Sequence, residues 1–164
     1  QDRARLGDSA LGELPDLARR VAEVGWHIEL NTEPRSFDRI AEMVPELPAG
    51  LRLILDHIGH VDLSAPDALL RLLETGRVWV KLSPTRISAD IGRYADLAGL
   101  VARLGAAFPD RLIWGSDWPH PVSVKQPPNE GKLLELLYRF APETTVQQKI
   151  LVDNPARFFG FETA

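Results

Sequence analysis

The chain has 164 residues, 45% of them hydrophobic and 26% charged, which is the composition of a compact globular domain and excludes disordered and collagen-like classes. A formal net charge of -4 gives no reason to expect nucleic acid, because a phosphate-binding surface needs clustered Lys and Arg and here the basic residues are scattered. Cysteine is absent, so a disulfide framework, a thiolate metal site and a Cys nucleophile are all excluded, and any metal would need His and carboxylate ligands.

The N-terminal run Gln1-Asp2-Arg3-Ala4-Arg5 lacks the apolar core of a signal peptide. No apolar stretch approaches the ~20 residues of a membrane span, so a cytoplasmic protein without membrane partners is expected. The chain starts with Gln rather than Met and its first element comes almost at once, which reads as a fragment.

Leu14, Leu17, Ala18 and Val21 form an i, i+3, i+4, i+7 stripe, with Asp8 and Ser9 as capping candidates and Gly25 as the stop. The spacing predicts an amphipathic helix. Trp26 to Leu30 is short, bulky and bounded by Asn31 and Thr32, and reads as a strand. Ser36 can cap a second helix through Phe37, Ile40, Ala41 and Val44, ended by Pro45, Pro48 and Gly50.

Leu51 to Leu55 is a continuous apolar run typical of a strand buried on both faces. Leu69, Leu70, Leu72 and Leu73 predict a helix ended by Gly76, and Arg77 to Leu82 predicts a third strand. A helix through Leu97, Leu100, Val101 and Leu104 precedes a fourth strand at Arg111 to Trp114. The tail reads as helical, with Leu133, Leu134, Leu136 and Leu137 in one segment, a capping box at Thr144 and Gln147, and Asn154-Pro155 opening a last turn.

Strands alternating with helices over connections too long for hairpins imply βαβ units, a parallel sheet and an α/β fold. Four such units are half of a (β/α)8 barrel, or else a small open doubly wound sheet, and spacing alone leaves both open.

In either architecture the reactive side chains stand past the C-terminal ends of the strands. There the sequence places Asn31, Thr32 and Glu33 after the first strand, Asp56 and His57 after the second, Ser83 and Arg86 after the third, and Ser116, Asp117 and His120 after the fourth. Asp117 lies between Trp114 and Trp118, which can exclude water and tune a carboxylate as a general base; Ser-Asp after Gly can equally serve as a turn cap. His57 is a candidate electrophile or a satisfied core histidine. Arg86, behind Ser83-Pro84-Thr85, can hold a carboxylate in bidentate fashion or sit in a surface ion pair. His60, Lys81 and His120 carry the same ambiguity, with Lys81 read as a buried pairing or strand-edge residue and His27 as structural. Phosphate-loop, dinucleotide and His-Glu-x-x-His patterns are missing.

Read together, Leu53-Ile54-Leu55-Asp56-His57-Ile58-Gly59, Val78-Trp79-Val80-Lys81-Leu82-Ser83-Pro84-Thr85-Arg86 and Trp114-Gly115-Ser116-Asp117-Trp118-Pro119-His120-Pro121 resemble the amidohydrolase-related family. Within it they are most similar to the 2-pyrone-4,6-dicarboxylate lactonase-like hydrolases. The likeness covers nearly the whole chain and ends in Asn154-Pro155-Ala156-Arg157-Phe158-Phe159-Gly160.

The resemblance implies a partial (β/α)8 TIM barrel. Residues 1–164 would be the C-terminal part of a single barrel domain, carrying its last four strands with their helices. It implies a lactone hydrolase acting on a small anionic substrate, with Asp117 activating water, His57 polarising the carbonyl, and Arg86, His120 and Asn31 binding substrate. It also implies that no metal is required. The family's first-strand His-x-His pair has no match here, so the fragment is expected to turn over little. Two alternatives remain: a zinc-dependent decarboxylase of the same superfamily with His57 and Asp117 as ligands, and an inactive half-barrel serving assembly or interaction.

Overall fold

The computed structural model describes residues 11–121 and 127–162. The capping candidates Asp8 and Ser9 lie outside the described residues. Four strands, β1 (Ile28–Leu30), β2 (Leu53–Leu55), β3 (Val78–Leu82) and β4 (Leu112–Trp114), form one parallel sheet in the order β1-β2-β3-β4. Pairing is level across β1, β2 and β3, with Leu30 opposite Leu55 and Leu55 opposite Val80, while β4 sets Val80 against Leu112. Each strand is shorter than its apolar run. Trp26 is 70% exposed ahead of β1, an edge strand that pairs only with β2. Arg77 stands outside β3 and donates to the carbonyls of Val44 (2.7 Å) and Leu47 (3.1 Å).

Ahead of β1 runs α1 (Leu14–Glu23); between the strands run α2 (Phe37–Met43), α3 (Asp67–Glu74) and α4 (Ala98–Ala107); after β4 come α5 (Glu130–Phe140), α6 (Thr144–Gln148) and, after a π-helical turn at Lys149–Asp153, α7 (Asn154–Phe159). In α1 only Leu14 and Ala18 are buried; Leu17, expected in the core stripe, is 45% exposed. Ser36 does not cap α2, because it belongs to a 3-10 turn (Pro34–Ser36) and is itself buried. The capping box at Thr144 and Gln147 does not form either: Glu143 takes the cap position, and Gln147 Nε2 reaches back to the Ala141 carbonyl at 2.8 Å.

Alternate strand residues part to opposite faces, as the pleat requires. Ile28, Leu53, Leu55, Val78, Val80, Leu82 and Leu112 join the helices in the main core. Ile54, Trp79 and Ile113 form a second, separate cluster with Phe158 of α7. Buried Asn154 fixes α7 there by donating to the carbonyls of Pro109 (2.7 Å) and Leu112 (2.8 Å). On the same inner face Glu29, Asp56, Lys81 and Ser83 line an open cleft of ≈ 410 Å³ together with His57 and Asp117. No helix among the described residues is long and apolar enough to cross a membrane.

Phe158 is fully buried and is the one residue of the inner cluster that comes from a helix. Phe158→Ala is expected to cost about 3–5 kcal/mol, read as a lower urea midpoint at unchanged slope.

Candidate functional site

The turn after β2 sets the site's geometry. His57, Ile58, Gly59 and His60 have φ of 50°, 52°, 65° and 50°, a run of left-handed residues where L side chains ordinarily avoid even one. Such strain persists only where the surroundings over-determine it, and it concentrates at functional sites. Gly59 is required at its position, since a Cβ there would stand 2.6 Å from the Phe37 ring. The turn leaves the His57 ring buried, with Nδ1 3.0 Å from Ser83 Oγ and Nε2 3.8 Å from Asp117 Oδ1. Its neighbour His60 places Nε2 2.8 Å from Asn31 Oδ1.

Asp117 follows β4 in a second tight turn, with φ 69°, and its carbonyl accepts from the His120 amide at 2.8 Å. Arg86 grips its carboxylate with one edge of the guanidinium, Nε donating to Oδ2 at 2.8 Å and Nη2 to Oδ1 at 3.1 Å. Thr85 Oγ1 adds a third bond to Oδ2 at 3.1 Å. Burial alone would raise the Asp117 carboxyl, but hydrogen bonds from Arg86, the neighbouring His57 and the Thr85 hydroxyl outweigh it and hold the group below the usual carboxylate range. Burial lowers the His57 ring from 6.5; attraction to Asp117 and Asp56 opposes this, while Arg86 and Lys81 reinforce it.

Two sequence expectations change here. Trp118 does not shield Asp117: it is 74% exposed, and Asp117 is made less basic by its cationic partner rather than more basic by an apolar wall. Arg86 faces Asp117 and spends two donors on it.

The structure thus brings Asp117, His57 and Arg86 together. His120 is 2% exposed and turns its Nε2 to Glu130 of α5 at 2.6 Å, outside the residues that line the cleft. Asn31 is likewise off the cleft wall, bonded to His60. Asp56 and Ser83, placed past their strands by the sequence but given no role there, line the cleft, and Lys81 is the pairing residue the sequence suggested, bonded to Glu29 and Asp56; Glu29 and Thr85 are the site groups that sequence reasoning passed over. Strand alternation in β3 held the signal, since Lys81 and Ser83 share the face opposite Val80 and Leu82.

Among the described residues no three His, Asp or Glu side chains gather closely enough to hold a metal ion. A divalent ion would find His57 and Asp117 as its ligands in this chain, and both already have partners.

Both shifts carry the same sign in stability. Asp117 sits below its unfolded value, so its contribution is present above that value and is lost as pH falls through the folded one. Below 6.5 and above the folded value of His57 the unfolded chain binds the extra proton, so stability also falls with acidification there. His57→Gln is expected to flatten the fall of urea midpoint that starts near pH 6.5 in the parent. Arg86→Met, which strands a buried carboxylate, is expected to cost about 3–5 kcal/mol and to raise the Asp117 titration followed by carboxyl ¹³C shifts.

Relatives place this geometry. A 4-sulfomuconolactone hydrolase of Rhizobium radiobacter is 40% identical over 147 residues, 84% of this chain and 48% of that protein. A 2-pyrone-4,6-dicarboxylate hydrolase of Comamonas testosteroni is 32% identical over 163 residues, 90% of this chain and 53% of that protein. The chain therefore spans about half the length of the curated relatives it matches. A crystal structure of a Burkholderia multivorans amidohydrolase with bound zinc shares the fold, with TM-score 0.73 at 23% identity over 99% of this chain and 62% of that one. The four-stranded parallel α/β fold is accordingly shared with part of that amidohydrolase's fold. With the profile of the amidohydrolase family, Amidohydro_2, matching residues 3–161, this chain belongs to that family.

Proposed function

We propose that this chain is the C-terminal part of a single barrel domain that hydrolyses the lactone of a di- or polycarboxylic acid. The observation that carries the reading is the convergence of Asp117, His57 and Ser83, from the ends of three strands, on one cleft, with Arg86 holding the Asp117 carboxylate from behind that lining. The two curated hydrolases, named for a sulfomuconolactone and a pyrone dicarboxylate, support the substrate class.

In the proposed reaction Asp117 takes a proton from water, whose oxygen attacks the lactone carbonyl. The ring C–O bond then breaks, the leaving oxygen takes up a proton, and an open-chain acid results. Burial lowers the His57 ring and favours its neutral form; in the tautomer this reaction requires, the Ser83 hydroxyl donates to Nδ1 and the ring proton stands on Nε2 for the carbonyl oxygen. A substrate carboxylate that competes for Arg86 would loosen its hold on Asp117 and return basicity to it, so that binding and activation coincide. Arg86 is then the substrate clamp as well as the restraint on the base, and His120 acts through the Asp117 turn.

The proposal includes a small anionic substrate, a cytoplasmic setting, and water activation without a metal. In a full-length protein carrying this chain, Asp117→Asn is expected to lower kcat about 10²–10⁴-fold with KM little changed, followed optically on 2-pyrone-4,6-dicarboxylate and 4-sulfomuconolactone. Retained turnover would remove Asp117 as the base. Stoichiometric zinc whose removal abolishes turnover would replace the metal-free reaction by one in which His57 and Asp117 are ligands.

A further inference from the structure

Beneath the mouth, on the inner face, one lysine meets two acids from different strands. Lys81 Nζ lies 2.7 Å from Glu29 Oε2 on β1 and 3.0 Å from Asp56 Oδ1 at the end of β2. The Lys81 side chain, 23% exposed, thus ties three neighbouring strands together across the sheet. Burial by itself would lower the Lys81 amine, but the bonds and charges of Glu29 and Asp56 outweigh it and raise it, so the group stays cationic and is no nucleophile.

Asp56 is also the residue from which the left-handed turn departs. Left-handed geometry is strained for an L residue, and His57, Ile58 and His60 all adopt it. Something must fix each of them. His57 is fixed by Ser83, Ile58 by burial, Gly59 by its fit against Phe37, and His60 by Asn31. At the start of the turn the fixed point is the Asp56 carboxylate on Lys81.

We propose that Lys81 is a positioning residue: by clamping Asp56 against Glu29 it holds the turn in its left-handed form and so keeps the His57 ring aimed at Asp117. The inference rests on His57 being a site group, as in the function proposed above. Its structural content does not depend on the substrate.

The test is nuclear Overhauser spectroscopy on this chain, where a residue with φ near +55° gives a strong intraresidue HN–Hα cross-peak. Lys81→Met is expected to reduce those peaks at His57 and Ile58 toward the level of ordinary helical residues. Lys81→Arg, which keeps the cation, is expected to preserve them, and so is Glu29→Gln, which keeps the Asp56 contact. A folded Lys81→Met chain with parent-strength cross-peaks would overturn the proposal, whatever its loss of thermal stability. If that variant does not fold, Asp56→Ala removes the clamped group while leaving Lys81 paired to Glu29. A turn kept in folded Asp56→Ala overturns the proposal, and a turn lost supports it. In the hydrolysis assay Lys81→Met is expected to lower kcat at little-changed KM, with rescue by arginine. Absence of lactone turnover in a full-length protein carrying this chain would sink the proposed function and leave the turn measurement intact.

Discussion

The sheet's parallel register is the constraint on which everything else depends. With β1, β2 and β3 level, the odd and even residues of neighbouring strands fall into rows, and each row faces either the helices or the cleft. The helix-facing rows are apolar throughout, aliphatic except for Trp114. The inner face is mixed instead: Glu29 stands level with Ile54 and Trp79, and Lys81 level with Ile113; Phe158 packs on the three apolar residues, Lys81 joins Glu29 and Asp56 in a charged tier, and Ser83, His57 and Asp117 stand at the mouth. A one-residue slip of β3 would exchange Lys81 and Ser83 with Val80 and Leu82, stranding an ammonium among leucines and removing the partner of His57. The apolar packing on one face therefore determines which polar groups can meet on the other.

Much of this was legible in the sequence because the two periodicities involved are strong. Strand–helix alternation and the polar groups after each strand follow from apolar runs of strand length and from the breakers Gly25, Pro48 and Gly76. Element ends were less legible. Whether Ser36 caps a helix depends on the turn before it, and the 3-10 turn beginning at Pro34 buried the hydroxyl that would have served. Thr144 lost its cap to Glu143 in the same way, by a shift of one residue that periodicity does not register.

Pairings across the sheet were least legible. Nothing in the spacing of Arg86 and Asp117, 31 residues apart, announces a two-pronged ion pair, because that pairing is decided by how two turns from neighbouring strands approach. The left-handed run at His57 is hidden for a related reason. Ile58 is β-branched, a residue type that disfavours positive φ, so local propensity points away from the conformation that packing imposes.

The electrostatics of the cleft bear directly on the proposed chemistry. Its lining carries three carboxylates, Glu29, Asp56 and Asp117, against the single ammonium of Lys81, and the guanidinium of Arg86 stands against Asp117. Both cations are already engaged by acids, so a dianionic substrate gains attraction only by competing with a resident carboxylate. The two cations differ in what that competition costs. Displacing Glu29 or Asp56 from Lys81 would leave an acid of the charged tier unpaired and unsettle the strained turn. Displacing Asp117 from Arg86 leaves a carboxylate free beside bound substrate, where an unpaired base is what hydrolysis needs. Arg86 also keeps N–H donors beyond the two spent on Asp117, so a substrate carboxylate can begin to bind before the resident one lets go. A carboxylate-bearing lactone would thus draw its base into the reactive state by the act of binding, and a neutral lactone of the same ring would leave Asp117 restrained.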